Sequence, residues 1–329
     1  MSALLTEVGT TPLILVEGIW AKLECTNPTG SVKDRIARYI IEKSEALGLL
    51  RPGMEIVEAT SGNTGIALAY FARSKGYRVT IVMPENMTDE RKDVIRALGA
   101  ELVLCSKEGS FAEAAAVRDR LALERGAFNP DQFSNPLNVD CHRVTTGAEI
   151  LAQLAAEGAG VPDAFVAGVG TGGTLIGVAQ AIREVNPRAL IVAVEPDESA
   201  VMSGDSAGSH AIYGIGDGFI PAIASDGHGG LHELIGEVIR IPGDDAREIA
   251  KRLGEAHGIC VGISSGANFL AAKQLERRFE TVVTIFADGY AKYSSEGLRH
   301  CAPGRCHFEH ASALDSILAA SALTASEAR

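Results

Sequence analysis

Short runs of branched aliphatic residues alternate with helical patterns along most of this 329-residue chain, and this alternation constrains the fold most strongly. The strand-like runs lie at 54–59, 78–83 and 101–104, and they recur near Phe165, Ile191, Val238 and Val283. Parallel strands need long crossover connections, usually helices, which bury both faces of the sheet. The pattern therefore predicts an α/β protein with two domains of twisted, mostly parallel sheet and helices on both faces.

The best candidate for a domain boundary is Asn135–Pro136, with a lysine-containing helix start on one side and a glycine-rich loop on the other. A chain of this length can form two ordinary domains with proper cores. We expect residues 35–135 to form a smaller, mobile domain. Residues 1–34 with 136–329 would form the larger domain, with Lys33 at the junction.

A lysine occupies the start of a predicted helix, directly after the turn sequence Asn27–Gly30. Ser31 is the candidate N-cap residue, and Asp34 follows at the spacing of a capping box. Lysine is disfavoured in the first turn because the helix dipole is positive there. If Lys33 is also desolvated, its amine would have a lowered pKa and could act as a base or form an imine.

A polar glycine loop, Thr60-Ser61-Gly62-Asn63-Thr64-Gly65, lies between a strand-like run and a helical pattern. Backbone N–H groups and hydroxyls at a helix start form an anion site. Four of five consecutive side chains here are hydroxyls or amides, more than a structural turn needs. The loop therefore predicts ligand binding.

A second glycine loop runs from Gly168 to Thr174 between a predicted buried strand and a helix. Glycines let the backbone approach a phosphate closely, and the helix start and threonine hydroxyls can bind its oxygens. The loop also matches G-x-G-x-x-G, with Glu195 at the end of the next strand, so an NAD-dependent oxidoreductase using Gly168–Gly173 is an alternative. That alternative leaves the loops of Lys33 and Asn63 unexplained.

Seven motifs occur in one order between about Thr10 and Leu298. They are Asn27-Pro-Thr-Gly-Ser-Val-Lys-Asp-Arg-Ile-Ala, Thr60-Ser-Gly-Asn-Thr-Gly, Gln132-Phe-Ser-Asn-Pro, Thr145-Thr-Gly, Gly170-Thr-Gly-Gly-Thr, Gly214-Ile-Gly-Asp-Gly-Phe-Ile-Pro and Gly262-Ile-Ser-Ser-Gly-Ala. Together they resemble the cysteine synthase and cystathionine β-synthase family of fold-type II pyridoxal phosphate enzymes. The resemblance implies a fold like that of the tryptophan synthase β subunit, and pyridoxal 5'-phosphate as the cofactor.

The resemblance also implies a role for each motif residue. Lys33 would hold the cofactor covalently and act as the base at the substrate Cα, and Asn63 would bind the pyridine 3′-oxygen. Ser264 would face the pyridine nitrogen. The cofactor phosphate would bind to Gly170, Thr171, Gly172, Gly173 and Thr174. The substrate would bind to Thr60, Ser61, Thr64, Gln132 and Gly218.

The implied reaction is β-replacement on a serine derivative, most simply O-acetylserine and sulfide to cysteine and acetate. Asp217 departs from the family motif by adding a negative charge beside the expected substrate entrance. Such a charge would repel a phosphate leaving group, so we expect O-acetylserine to be preferred over O-phosphoserine. The alternatives are β-replacement with homocysteine or an amine, serine or threonine dehydration, and a catalytically silent scaffold of the same fold.

The composition gives a net charge of −12, which argues against nucleic acid or an anionic membrane as a partner. The sequence lacks a signal-peptide pattern and an apolar run of bilayer length, so we expect a cytoplasmic protein. A small amino acid substrate and a homodimer are the expected partners. Cys301 and Cys306 lack the second ligand pair of a zinc site, so no metal is expected. The other cysteines, Cys25, Cys105, Cys141 and Cys260, are predicted to be reduced core residues.

Overall fold

The computed structural model describes residues 8–60, 62–106 and 110–298, and this chain divides into two compact units. The first unit comprises Val8 and Asn27–Asp131, and Lys33 lies within it. The second comprises Gly9–Thr26 and residues 132–298 of the described chain. The first unit thus runs from residue 27 to residue 131, whereas the sequence predicted a domain from residue 35 to residue 135. The mobility of the smaller domain stays a prediction.

The strands and helices alternate along the chain as the sequence pattern predicts. The strands are β1 (Leu13–Val16), β2 (Ile19–Leu23), β3 (Glu55–Ala59), β4 (Arg78–Pro84), β5 (Glu101–Cys105), β6 (Ala164–Gly168), β7 (Leu190–Pro196), β8 (Glu237–Ile241) and β9 (Val282–Phe286). The helices are α1 (Lys33–Ala46), α2 (Asn63–Ser74), α3 (Asp89–Ala97), α4 (Ser110–Arg125), α5 (Pro136–His142), α6 (Ala148–Ala156), α7 (Gly173–Val185), α8 (Gly243–His257) and α9 (Ile263–Leu275). A single π-helical turn, Arg143–Gly147, joins α5 to α6.

The first unit contains a three-stranded parallel sheet in the order β3-β4-β5. Successive strand residues point to opposite faces, so Ile56 and Ile81 pack into one core while Val57 and Val82 pack into another. The helices α1, α2 and α3 contribute to the first core, and α4 contributes to the second. Both faces of β3 and β4 are buried, whereas β5, at the edge of the sheet, is partly exposed.

The second unit contains a six-stranded sheet in the order β1-β2-β9-β6-β7-β8, parallel except for the β1–β2 hairpin. Alternate residues of β6 again divide between two cores, one shared with α8 and α9 and one with α6 and α7. The hairpin turns at Glu17 and Gly18, which both have positive φ (47° and 85°). Two such residues match the twist of a tight β-hairpin.

The fold class predicted from the sequence is confirmed. One cysteine prediction is wrong, since Cys260 is disulfide-bonded rather than a reduced thiol. Cys301 and Cys306 lie outside the described residues. Within the described ranges, no helix is both long and apolar enough to cross a membrane.

Candidate active site

In each unit, motif loops follow the carboxyl ends of parallel strands. Thr60 follows β3 in the first unit, and the glycine loop 169–172 follows β6 in the second. In open parallel sheets, ligands bind at this end of the strands. Each set of loops therefore occupies the position at which its own sheet can bind a ligand.

Lys33 is the first residue of α1, and its side chain is partly buried. The serine half of the predicted capping box is present, since the Ser31 hydroxyl accepts the Lys33 N–H at 3.3 Å, but the aspartate half is wrong. Instead, the Asp34 carboxylate accepts hydrogen bonds from the backbone N–H of Thr29 at 2.6 Å and from its hydroxyl. Asp34 and Thr29 are fully buried, so this pair ties the preceding turn to the helix that positions Lys33.

The polar loop of the first unit ends where α2 begins, at Asn63. The Thr60 hydroxyl accepts a hydrogen bond from the Gly62 N–H at 3.2 Å, which closes the turn. Gly62 has φ 154°, and an added Cβ would lie 2.5 Å from the side chain of Arg91. Only glycine fits there. Thr60 and Thr64 are both buried, and Ser61 lies outside the described residues.

The glycine positions of the loop in the second unit are packed too closely to admit a side chain. A Cβ on Gly170 would lie 2.2 Å from the carbonyl oxygen of Gly214, in the following Gly214–Gly218 loop. Gly172 adopts a left-handed conformation with φ 86° and is followed directly by α7. This arrangement brings bare backbone to the N-terminus of a 13-residue helix, which is a suitable cradle for a phosphate.

Two side chains of α5 contact the threonines of this loop, and sequence reasoning did not identify them. Asn138 donates to the Thr171 hydroxyl oxygen at 3.0 Å, and Nε2 of His142 lies 3.2 Å from the Thr174 hydroxyl oxygen. Both α5 side chains are fully buried. The i, i+4 spacing places them on one face of α5, but only a tertiary contact shows what that face meets.

Ser264 is the second residue of α9, directly after the N-cap Gly262 and Ile263. The structure distinguishes it from its neighbour. The Ser265 hydroxyl accepts the Ala287 N–H at 3.1 Å. Within the described residues the Ser264 hydroxyl, in contrast, makes no hydrogen bond, although the residue is 95% buried. Ser264 is therefore the serine that can bind a ligand.

The remaining predicted substrate residues also lie in the second unit. Gln132 is buried, and its backbone oxygen accepts a hydrogen bond from Asn138. Gly218 has φ 86° and belongs to a loop in which Gly214 and Gly216 also have positive φ. Asp217 lies between two of these glycines and is partly buried. The glycines allow the tight path that this loop follows.

The acidic residue of the dinucleotide hypothesis is engaged elsewhere. Glu195 is fully buried, and its carboxylate accepts the N–H groups of Met202 and Ser203 at 2.8 and 3.0 Å and the Ser203 hydroxyl at 2.5 Å. A carboxylate that is fully buried and engaged by three donors of its own loop is not presented to a ribose. The glycine loop therefore has a geometry suited to a phosphate without the rest of a dinucleotide site.

The fold and the two sets of loops define a class: α/β enzymes that bind a phosphorylated cofactor and have a lysine at a helix start. The model of the pyridoxal-phosphate dependent enzyme family matches residues 4–288, and the chain belongs to this family. Its cofactor is pyridoxal 5'-phosphate. The bare glycine cradle at α7, with two threonine hydroxyls, fits the phosphate of this cofactor.

Named relatives narrow the comparison. The chain is 42% identical to the cysteine synthase of Staphylococcus aureus (strain N315) over 302 residues, which cover 88% of this chain and 94% of the relative. The solved cysteine synthase of Entamoeba histolytica is 36% identical with a TM-score of 0.82, covering 97% and 96% of the two chains. The solved O-acetylserine dependent cystathionine β-synthase of Helicobacter pylori is 33% identical with a TM-score of 0.83, covering 91% and 98%. The predicted family, cofactor and enzyme class are thus confirmed.

Proposed function

We propose that this protein is a cysteine synthase that converts O-acetylserine and sulfide to cysteine and acetate. The bond between Cβ and the acetate oxygen breaks, acetate leaves with the electron pair, and hydrosulfide forms the new bond to Cβ. The observation that carries the proposal is the 42% identity to a cysteine synthase over 88% of the chain. Lys33, Asn63 and Ser264 all lie within residues 4–288, which match the family model.

Lys33 is proposed as the residue that holds the cofactor covalently and moves the proton at the substrate Cα. When bound, the cofactor supplies an electron sink for negative charge at that carbon. The first helical position disfavours the ammonium form of Lys33, because the dipole of α1 is positive there. A neutral amine is the form that can take a proton.

Ser264 is proposed to bind the pyridine nitrogen through its hydroxyl. A neutral hydroxyl, unlike a carboxylate, does not stabilise a protonated nitrogen, so the ring stays a weaker electron sink. Charge at Cα is then best relieved by expelling the group on Cβ, which favours β-replacement. Asn63 is proposed to bind the 3′-oxygen of the ring.

The substrate carboxylate is proposed to bind to Thr60, Ser61, Thr64 and Gln132. Thr60 and Thr64 flank the start of α2, whose N-terminus favours an anion. Gly218 is proposed to line the substrate loop, since its backbone can approach a ligand without a side chain in the way.

Asp217 is proposed to select the leaving group. Its charge would repel a phosphate by on the order of 1 kcal/mol at a partly exposed site, but it would tolerate a neutral acetyl ester. Steady-state kcat/KM should therefore be higher for O-acetylserine than for O-phosphoserine, and Asp217→Ala should narrow the difference. Asp226→Ala removes an equal charge from another loop of the same unit and is the matched control. A higher kcat/KM for O-phosphoserine that persists in Asp217→Ala would refute the donor assignment.

The acceptor has one specific competitor, since the H. pylori relative is an O-acetylserine dependent cystathionine β-synthase. We test it by supplying purified holoenzyme and O-acetylserine with sulfide or homocysteine and quantifying cysteine and cystathionine. We expect sulfide to give the higher kcat/KM. A higher kcat/KM with homocysteine would mean that the protein is a cystathionine β-synthase and not a cysteine synthase. The proposed roles of the cofactor residues would stay the same. The predicted homodimer is tested by sedimentation equilibrium, and the cytoplasmic location by cell fractionation.

A further inference from the structure

Asn138 connects two parts of the second unit that the proposed function uses. Its Nδ2 atom lies 2.8 Å from the backbone oxygen of Gln132 and 3.0 Å from the hydroxyl oxygen of Thr171. The residue is fully buried near the start of α5. One side-chain nitrogen thus contacts a proposed substrate residue and a proposed phosphate residue at the same time.

The direction of these hydrogen bonds follows from the groups present. The Gln132 carbonyl can only accept, so the amide nitrogen of Asn138, and not its oxygen, must face it. The second hydrogen of the same nitrogen is then donated to Thr171. The hydroxyl oxygen of Thr171 also accepts from the Gly173 N–H at 3.3 Å. With both lone pairs engaged, this hydroxyl must donate its own hydrogen elsewhere.

Within the described residues, the Thr171 hydroxyl hydrogen has no acceptor. Thr171 lies two residues before the first residue of α7, where the glycine cradle and the helix dipole favour an anion. An oxygen of the cofactor phosphate is the acceptor that fits this position. Asn138 would therefore determine which way the Thr171 hydroxyl points.

The other end of the Asn138 amide has an unfavourable environment. Its Oδ1 atom is buried without a hydrogen-bond donor in the described part of the chain. It also fills the space beside Gly173, where an added Cβ would lie 2.0 Å from it. A buried acceptor without a donor destabilises the fold, and such groups in native structures call for a functional explanation.

We infer that Asn138 is a positioning residue that holds the Thr171 hydroxyl as a donor to the cofactor phosphate and fixes the backbone of Gln132. The inference rests on the proposed roles of Thr171 and Gln132. It assigns a function to a residue that has no direct contact with the substrate in that proposal.

A double-mutant cycle tests this inference through cofactor affinity. Apoprotein is titrated with pyridoxal 5'-phosphate in the wild type, Asn138→Ala, Thr171→Ala and the double variant. We expect each single change to raise Kd about tenfold, and Asn138→Ala to raise it less than twofold when Thr171 is already alanine. If the losses of cofactor-binding free energy in the two single variants add up to the loss in the double variant, Asn138 does not act through Thr171, and the inference is overturned.

Phosphorus NMR gives a readout that a purely structural role would not change. In Asn138→Ala the signal of the bound phosphate should shift in the same direction as in Thr171→Ala. Asn186→Ala is the matched control: this asparagine also donates to a backbone carbonyl, that of Pro162, but it follows the other end of α7. Its phosphate signal should stay at the wild-type position, and an equal shift there would count against the inference.

A second variant and the independence of cofactor binding from catalysis separate the possible outcomes. If Asn138→Ala does not fold, Asn138→Asp keeps the shape but cannot donate, and it enters the same cycle. Cofactor titration does not require cysteine formation. An enzyme that binds the cofactor and makes no cysteine would refute the proposed reaction while the cycle could still support the role of Asn138. An active enzyme with an additive cycle would refute that role alone.

Discussion

The contact between Gly170 and the carbonyl oxygen of Gly214 leads to a quantitative prediction for Gly170→Ala. The added Cβ would lie 2.2 Å from that oxygen, whereas carbon–oxygen contacts normally begin at about 3.3 Å. One of the two loops must therefore move by about 1 Å. Gly170 has no positive φ, so the effect is steric and does not come from backbone strain. Overpacking of this kind costs about 1–3 kcal/mol.

We expect the cost to appear in both stability and cofactor binding. A loss of about 2 kcal/mol lowers Tm by roughly 4–8 °C for a unit of this size. If displacement of the phosphate cradle destabilises the cofactor-bound state by a similar free energy, the Kd for pyridoxal 5'-phosphate rises by about ten- to a hundredfold. Thermal unfolding of the apoprotein measures the first effect, and cofactor titration measures the second.

Gly208→Ala is the matched control for this prediction. Its Cβ would lie 2.0 Å from the carbonyl oxygen of Glu198, a clash of the same kind in the same unit but outside the glycine cradle. We expect Gly208→Ala to bind the cofactor within about threefold of the wild type, a difference below 1 kcal/mol. Wild-type affinity in Gly170→Ala, or an equal loss of affinity in Gly208→Ala, would refute the idea that close backbone packing forms the phosphate site.

Three further predictions concern single side chains. Borohydride reduction of the holoenzyme should attach the cofactor to Lys33 in peptide mass spectra, and label on another lysine would contradict the assignment. Ser264→Ala should change the cofactor absorbance with little loss of Tm, whereas Ser265→Ala, which removes the acceptor of a backbone N–H, should cost about 1 kcal/mol of stability and leave the spectrum unchanged; the reverse pattern would exchange their roles. The hydrogen bond from His257 lowers the pKa of Glu17. The stability that ionised Glu17 contributes to the fold should therefore be complete above the usual glutamate pKa range and be lost as pH falls through the lowered pKa. The stability difference between the wild type and Glu17→Gln in urea should therefore shrink on acidification from about pH 5 to pH 3, and a constant difference would contradict this.

Much of the fold followed from local patterns, because parallel strands buried on both faces are continuously apolar and glycine-rich loops precede helices. The helices α2 and α7 were both predicted this way, although each begins inside its predicted loop, at Asn63 and at Gly173. The aspartate half of the capping box at Ser31 was not correct, since Asp34 bonds to Thr29 instead. Two arrangements with suitable spacing competed for the same carboxylate, and the sequence pattern does not rank them.

The contacts made by α5 could not be predicted from local sequence. Asn138 and Thr171 are 33 residues apart, and His142 and Thr174 are 32 apart. Their contacts depend on how α5 packs against α7, where a Cβ on Gly177 would lie 2.4 Å from the carbonyl oxygen of Val139. A glycine inside a predicted helix is the one sequence signal that could have indicated this close approach.

The glycine loop also shows what a short motif can and cannot specify. Gly168, Gly170 and Gly173 fit the dinucleotide spacing, and the structure explains each as a position where a side chain would collide with a neighbour. The close packing at these glycines leaves bare backbone at the start of a helix, which is a cradle suited to an anion. A dinucleotide and a pyridoxal cofactor both need such a cradle for a phosphate. The discriminating group is the acidic residue on the next strand, and Glu195 satisfies its carboxylate with Met202 and Ser203. The motif thus predicts a cradle suited to a phosphate, and the partners of one distant carboxylate distinguish a pyridoxal cofactor from a dinucleotide.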